Sequence, residues 1–149
     1  MGVGAIVFYY LSNSRIKDIN FVMEDALNFD GNTGPYVQYT YARTCSILRR
    51  AEVDEVPLAI TNADEAALLK VLAKFPERVC AAIADFEPSV ITRYILDVSA
   101  AFNRFYHNCP ILGAEDQAVR ATRVALTRAA NVVLGNAFPL ICLKKMEKI

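Results

Sequence analysis

The chain has 149 residues, of which 54% are hydrophobic and 21% are charged, and its sixteen basic and sixteen acidic residues leave no formal net charge. This apolar content is enough for one compact core and excludes a disordered chain. Because proteins that bind nucleic acid without regard to sequence are normally basic, a neutral chain confines any such role to a local site.

The first thirty residues form short elements. Residues 3–11 are an apolar run whose periodicity does not distinguish a buried helix from a strand. A break at 12–14, an extended bridge at 17–21, one helical turn at 24–27 and a loop at 28–34 follow. The apolar run is too short to span a bilayer and lacks the flanks of a signal peptide, so no membrane association is expected.

The remainder of the chain predicts helices joined by short connections. Thr33 is a suitable N-cap for the first of them, with Pro35 tolerated in its first turn, and Pro57 marks a polar loop after it. No segment shows sustained period-two alternation, so the predicted fold class is all-α, a helical bundle. The predicted helices run from Thr33 to Ala51, Asp64 to Ala73, Pro76 to Asp85, Pro88 to Tyr106 and Ala114 to Leu134.

The cysteines do not indicate a metal or redox site. Cys45, Cys80, Cys109 and Cys142 lie about thirty residues apart and form no C-x-x-C pair. Their apolar surroundings favour buried free thiols in a reducing cytoplasm. No metal and no cofactor are therefore expected.

Catalytic motifs are also missing from the sequence. It contains no glycine-rich phosphate loop, no H-E-x-x-H and no G-x-S-x-G pattern. The single histidine, His107, is two residues from Cys109, a spacing at which helical side chains do not face each other, and it is typical of a solvated helix end. Adjacent carboxylates such as Asp54-Glu55 diverge on a helix. No catalytic residue is predicted.

The first long helix has two different faces. At about 100° per residue, Tyr36, Tyr39 and Arg43 fall on one side of it. Ile47 and Arg50 continue that side, and the opposite side is the one expected to face the core. The opposite side carries Val37, Tyr41, Thr44, Cys45 and Leu48.

Two phenol rings followed by guanidiniums suit unpaired nucleotides. Bases stack on tyrosine for about 1–3 kcal/mol each, and arginine grips phosphates. Tyrosine hydroxyls and Gln38 can read base edges. The alternative is that Tyr36 and Tyr39 pack under a neighbouring helix with their hydroxyls at the rim, and Tyr106 has the same two interpretations. The residues alone leave both open.

Two segments, TGPYVQYTYAR at 33–43 and FNRFYHNCPIL at 102–112, resemble arginyl-tRNA synthetase. The resemblance covers essentially the whole chain, from just after the second ATP-site signature into the C-terminal DALR-type anticodon-binding domain. It implies a bundle of the class I synthetase anticodon-binding type, which grips the anticodon loop of arginine tRNA. Residues 1–31 then resemble the end of the catalytic and stem-contact region, and 32–149 the anticodon-binding domain.

The resemblance also implies which residues contact RNA. Tyr36, Tyr39 and Arg43 match the family pattern P-Y-x-Q-Y-x-x-A-R, and Tyr106 matches the aromatic end of F-x-x-F-Y. The family ends with a methionine near the anticodon, for which Met146 is the nearest candidate, although the preceding L-L-G-I reads Leu-Ile-Cys-Leu here. Further phosphate contacts are expected from Arg49, Arg50, Arg120 and Arg123.

The catalytic part of that family is not represented in the sequence. Its first ATP-site signature needs two histidines, and this chain has one. The chain by itself is therefore expected not to charge tRNA but to act as a tRNA-binding module. The alternative function is a freestanding helical protein-interaction module derived from the same fold.

The first residues have an expected partner of their own. In the resembled family, residues 1–31 pack on the catalytic domain of the same synthetase. Without that domain, Val3, Ile6, Val7 and Phe8 are expected to form an exposed apolar patch that promotes self-association.

Overall fold

The computed structural model describes residues 1–51 and 59–148, which leaves the predicted loop with Pro57 and the Asp54-Glu55 pair outside the described residues. The described residues form seven α-helices and no strand, so the all-α prediction is confirmed. The helices are α1 (Gly2–Leu11), α2 (Met23–Leu27), α3 (Gly34–Leu48), α4 (Ala63–Leu72), α5 (Phe75–Ala84), α6 (Ser89–Asn108) and α7 (Gln117–Leu140).

Side-chain caps set where the helices begin. Thr33 precedes α3 and its side chain accepts from the Tyr36 N–H, as predicted. Asn62 forms a capping box with Glu65 at the start of α4. Asp116 caps α7, which is why that helix begins at Gln117 and not at Ala114. The apolar run at the N-terminus is a helix, α1.

Helices α5 and α7 end in the same way, with a residue in the left-handed conformation. Phe86 (φ 49°) follows α5 and Cys142 (φ 55°) follows α7. After α7, the N–H groups of Cys142 and Leu143 donate to the carbonyls of Pro139 and Phe138. This is the Schellman arrangement, in which glycine is the usual residue at the left-handed position. The turn sends residues 143–148 away from the axis of α7.

The core lies between α3, α4, α6 and α7, and α5 covers one side of α6. Tyr94 on α6 is buried, and its hydroxyl donates to the carbonyls of Val71 and Leu72. This burial raises the pKa of Tyr94 to about 12. Large side chains that are fully buried at the centre are Phe8, Ile95, Phe102, Phe105, Leu134 and Phe138.

Helix α1 crosses α3 in backbone contact. A Cβ atom added to Gly34 would lie 2.6 Å from the carbonyl oxygen of Gly4. Glycine is required there because any side chain would separate the two helices. The contact brings Phe8 into the core.

The predicted apolar patch on α1 is therefore smaller than expected. Phe8 is fully buried, because it faces α3 and the core. Val3 and Ile6 are exposed, as predicted, and Val7 is half-buried. Tyr10 adds an exposed ring to the same helix. In the described parts of the chain, no helix is both long and apolar enough to cross a membrane.

The prediction that all four cysteines are buried is wrong for two of them. Cys109 is buried and Cys45 is half-buried, but Cys80 and Cys142 are exposed, and all four are free thiols. Cys80 is exposed because α5 packs mainly against α6 and buries no residue completely. Cys142 is exposed because it occupies the turn after α7.

Candidate nucleic-acid interface

Arg43 lies between two tyrosine rings that belong to different helices. Its guanidinium carbon is 4.8 Å from the centroid of the Tyr39 ring on α3 and 4.8 Å from that of the Tyr106 ring on α6. Tyr39 and Tyr106 are 44% and 43% exposed, so the sandwich is open to solvent. A cation over aromatic faces is an attractive contact. We call these three residues the Tyr–Arg–Tyr stack.

Asn103 holds the guanidinium of this stack in place. Its Oδ1 accepts a 2.7 Å hydrogen bond from Arg43 Nη1, and its Nδ2 donates to the Tyr36 hydroxyl at 3.0 Å and to Thr40 Oγ1 at 2.9 Å. Asn103 lies one helical turn before Tyr106. Its position inside the aromatic segment FNRFYHN is the signal in the sequence that points to this role.

Tyr36 packs under a neighbouring helix, as the second interpretation from the sequence predicts. Its ring is half-buried and packs against the core, and its hydroxyl accepts the hydrogen bond from Asn103. Ile47, which lies on the same side of the helical wheel, is buried in the core. Tyr41 points into the core, as expected. Along this face Tyr39 and Arg50 are exposed, whereas Arg43 is half-buried between its two rings.

Two surface hollows meet at the Tyr–Arg–Tyr stack, which lines both. The larger, of about 590 Å³, is called the Phe29 hollow, and the smaller, of about 420 Å³, the tail hollow. Beyond the stack, the Phe29 hollow is lined by Phe29, Asp30, Tyr36, Asn103 and His107. The tail hollow is lined by Ala42, Ser46, Arg49, Glu147 and Lys148.

The Phe29 hollow includes two side chains, Phe29 and His107, that are not among the predicted RNA-binding residues. Phe29 is 53% exposed and comes from the loop before α3, within the segment 1–31. His107 is exposed in the last turn of α6, as predicted, and also lines this hollow. The loop and the helix approach each other only in the folded chain, so neither had a signal in local spacing.

The C-terminal tail reaches the second hollow by running along α3. Leu143 is buried, Gln38 Nε2 donates to the Lys144 carbonyl at 2.9 Å, and Arg49 Nη1 donates to the Glu147 carbonyl at 3.2 Å. Gln38 is 1% exposed, so it anchors the tail and is not available to read base edges. Met146 is half-buried, and its neighbours are the tail residues that line the hollow.

The four arginines expected to contact phosphate occupy different environments. Arg49 lines the tail hollow, whereas Arg50 is exposed just after α3 and is not among the residues lining either hollow. Arg120 is half-buried on α7. Arg123 is 11% exposed and its Nε lies 2.7 Å from Glu65 Oε1. Arg123 also donates to the Pro110 carbonyl, so it joins α7 to α4 and to the segment after α6.

Glu65 is a buried carboxylate with a full set of donors. Burial by itself acts to raise the pKa of Glu65, but the Thr61 N–H and the Arg123 guanidinium outweigh it, and the pKa is lowered. The Thr61 N–H lies 2.7 Å from Oε2. Across residues 1–51 and 59–148, no group of three or more His, Cys, Asp or Glu side chains is placed to hold a metal ion.

The sequence matches known proteins along its entire length. The profile of the DALR anticodon binding domain matches residues 37–149. The arginine–tRNA ligase of Clostridioides difficile is 44% identical over 153 residues, and that of Alkaliphilus metalliredigens is 46% identical over 153 residues. Each match covers 100% of this chain and 27% of the relative. The chain thus spans about a quarter of the length of the curated relatives it matches.

Solved structures agree with the sequence matches. The arginyl-tRNA synthetase of Thermus thermophilus superposes with a TM-score of 0.93 at 33% identity, over 99% of this chain and 26% of that one. The arginyl-tRNA synthetase of Plasmodium falciparum gives 0.88 at 28% identity, over 99% of this chain and 27% of that one. From its profile match, its relatives and its fold, the chain belongs to the DALR anticodon-binding domain family, in the branch found in arginine–tRNA ligases.

Proposed function

We propose that this chain is the part of an arginine–tRNA ligase that binds the anticodon loop of arginine tRNA, with Tyr39 stacking on a base and Arg43 contacting a base or a phosphate. The observation that carries the proposal is the Tyr–Arg–Tyr stack, exposed on the surface with a hollow on each side. Unpaired bases in loops are the parts of RNA that proteins read by stacking and edge contacts.

The stack determines where a base can lie. The Arg43 guanidinium already fills the space between the two rings, so bases stack on the outer ring faces. Phe102 lies beneath Tyr106 in a near-parallel arrangement with 6.4 Å between ring centroids. Tyr39 is therefore the ring with a face free for a base, and Tyr36 and Tyr106 form the walls on either side.

The positive charge at the tail hollow favours binding of the loop nucleotides at this place. Arg43, Arg49 and Lys148 bring three cations to the tail hollow, although the chain is neutral overall. Binding by the isolated chain is then weak and shows a modest salt dependence, because few phosphates are neutralised. Linkage to the rest of a ligase would raise the affinity through effective concentration. Arg50 and Met146 would contribute secondary contacts outside the two hollows.

Residues 1–31 would attach the module to the catalytic part of the same ligase, with 32–149 as the anticodon-binding domain. The exposed Val3, Ile6 and Tyr10 side chains of α1 support this arrangement, because a partner domain would cover them. The chain alone would not activate arginine, and ATP–pyrophosphate exchange by the purified chain would contradict that statement.

A titration tests the RNA-binding proposal. The purified chain is titrated with an arginine-tRNA anticodon stem-loop and with the same stem carrying a scrambled loop. Tyr39→Ala should weaken binding of the arginine loop by about 5- to 150-fold, the equivalent of a lost stacking contact of about 1–3 kcal/mol. Tyr39→Phe should retain most of the affinity because it keeps the ring.

Tyr10→Ala is the matched control. Tyr10 is 45% exposed, nearly the same as Tyr39, but lies on α1 outside both hollows. Equal binding of both loops, or equal losses in the two alanine variants, would contradict the proposal. If the chain binds the arginine loop and the scrambled loop equally and is recovered in a stable complex with another protein, the protein-interaction module is favoured.

A further inference from the structure

The tail hollow has a mixed charge that a simple phosphate site would not have. Arg43, Arg49 and Lys148 supply positive charge to it. Among the described residues that line it, Glu147 is the one that carries a carboxylate. A carboxylate repels phosphate oxygens and weakens phosphate binding. The Glu147 carboxylate is therefore unsuited to contact the RNA backbone.

The backbone of Glu147 is held against α3. The tail is fixed by the buried Leu143, by the Gln38 contact to the Lys144 carbonyl and by the Arg49 contact to the Glu147 carbonyl. These contacts leave the Glu147 carboxylate as the free end of the residue.

The charge of Glu147 also lies close to α3. The pKa of Tyr41 is raised, first by burial, then by interaction with Cys45, and further by the charge of Glu147. Tyr41 faces the core on the other side of α3, so it is the shared lining of the tail hollow that places Glu147 beside Tyr39 and Arg43.

A carboxylate accepts hydrogen bonds and does not donate them. On the edge of a nucleobase, the matching group is an exocyclic amino group, such as N4 of cytosine. Uracil has the size and shape of cytosine but presents the O4 acceptor at that position, which a carboxylate repels. Glu147 therefore has the chemistry to distinguish these two bases.

We propose that Glu147 is a specificity-determining residue, whose carboxylate accepts a hydrogen bond from the amino group of one anticodon-loop base that lies in the tail hollow. The inference rests on the proposed function, since it assumes that the loop binds at the Tyr–Arg–Tyr stack. Arg49 and Lys148 offset the charge of the carboxylate and receive the adjoining phosphates. The occupant of the tail hollow is thus a cytosine, not a uracil.

The test measures base preference directly. Each cytosine of the arginine-tRNA anticodon loop is replaced in turn by uracil, and the dissociation constants are measured for the unmodified chain and for Glu147→Gln. At one loop position, the unmodified chain should prefer cytosine by about 5- to 150-fold, the usual range for a good base-edge contact. Glu147→Gln should lower that preference to less than about 3-fold, because an amide both donates and accepts.

The same variant should also bind the uracil loop more tightly than the unmodified chain does, since the repulsion is gone. Glu115→Gln is the control. Glu115 is exposed and lines neither hollow, so this substitution removes the same charge at a different place. It should leave the preference at every position unchanged. Circular dichroism of each variant checks that the fold is retained.

The outcomes separate the two proposals. If the unmodified chain binds the loop and Tyr39→Ala weakens it, but no position prefers cytosine or the preference survives in Glu147→Gln, the role of Glu147 is wrong while the function stands. If the unmodified chain binds no anticodon loop, the proposed function fails and this inference fails with it.

Discussion

Arg43 Nη1 and Asn103 Oδ1 are 2.7 Å apart, across the contact between α3 and α6. Because Asn103 also donates to the Tyr36 hydroxyl and to Thr40, one amide sets the position of three side chains on α3. The guanidinium is thereby kept between its two rings. A loosely held arginine would lose conformational entropy on binding RNA, whereas this one is ordered in advance.

Replacing Asn103 tests this positioning role. Asn103→Ala should weaken binding of the anticodon stem-loop by about tenfold. This is the change in affinity expected from losing a hydrogen bond to a charged group, which contributes about 1.5 kcal/mol. Asn108→Ala is the control, since Asn108 lies on the same helix and bonds to Asp64 outside the hollows. An unchanged affinity in Asn103→Ala, with an unchanged thermal unfolding midpoint, would show that Arg43 does not depend on it.

Arg123 should matter for stability and not for RNA. Arg123→Leu leaves the carboxylate of Glu65 buried without its cation, so the free energy of unfolding should fall by about 3 kcal/mol or more. Urea unfolding at neutral pH measures this change. Arg128→Leu is the control, because Arg128 is exposed on the same helix. A loss below about 1 kcal/mol in Arg123→Leu, the range of surface pairs, would contradict the structural role.

The stability contributed by Glu65 should depend on pH. Its pKa is lower in the folded chain than in the unfolded chain, so the contribution is fully present above the unfolded pKa and is lost as pH falls through the folded pKa. The difference in unfolding free energy between the unmodified chain and Glu65→Gln should therefore shrink below about pH 4. A difference that stays constant from neutral to acid pH would show that the charge of Glu65 is not involved.

The turn after α7 should tolerate glycine better than cysteine. Cys142→Gly removes the left-handed strain at φ 55° and should raise the free energy of unfolding by about 0.5–1 kcal/mol. Cys142→Ala removes the same thiol but keeps a Cβ atom, so it should give no such gain. Chemical denaturation of both variants under reducing conditions makes the comparison, and an equal effect of the two would contradict the backbone explanation.

The contact between α1 and α3 should not accept a methyl group. Gly34→Ala places a Cβ atom 2.6 Å from the Gly4 carbonyl oxygen, which forces the helices apart and should cost about 1–3 kcal/mol. Gly2→Ala is the control, because nothing lies within 4 Å of the added atom. Hydrogen exchange of the α1 amides should rise in Gly34→Ala and not in Gly2→Ala. Equal stability of the two variants would contradict the close crossing.

The features of the fold that could be predicted from the sequence are those that depend on neighbouring residues. Thr33 caps α3 because a side-chain oxygen beside a free N–H needs no distant partner. The periodic apolar residues likewise placed Val37 and Tyr41 in the core. Helical spacing also brought Tyr39 and Arg43 to one side, since residues four apart are neighbours on a helix. These features depend on contacts within a few residues.

The tertiary structure decided which parts of that side stay open. Tyr36 and Ile47 lie on the same side as Tyr39, yet the packing of the bundle half-buries the first and buries the second. The partners of Arg43 on α6 and the tail residue Glu147 are about 60 and 100 positions away in the chain. No local pattern encodes such distances, because they depend on how helices pack against one another. The sequence by itself determined the helices from α3 to α7 and the ring-bearing face, and only the packing of the helices produced the stack and its two hollows.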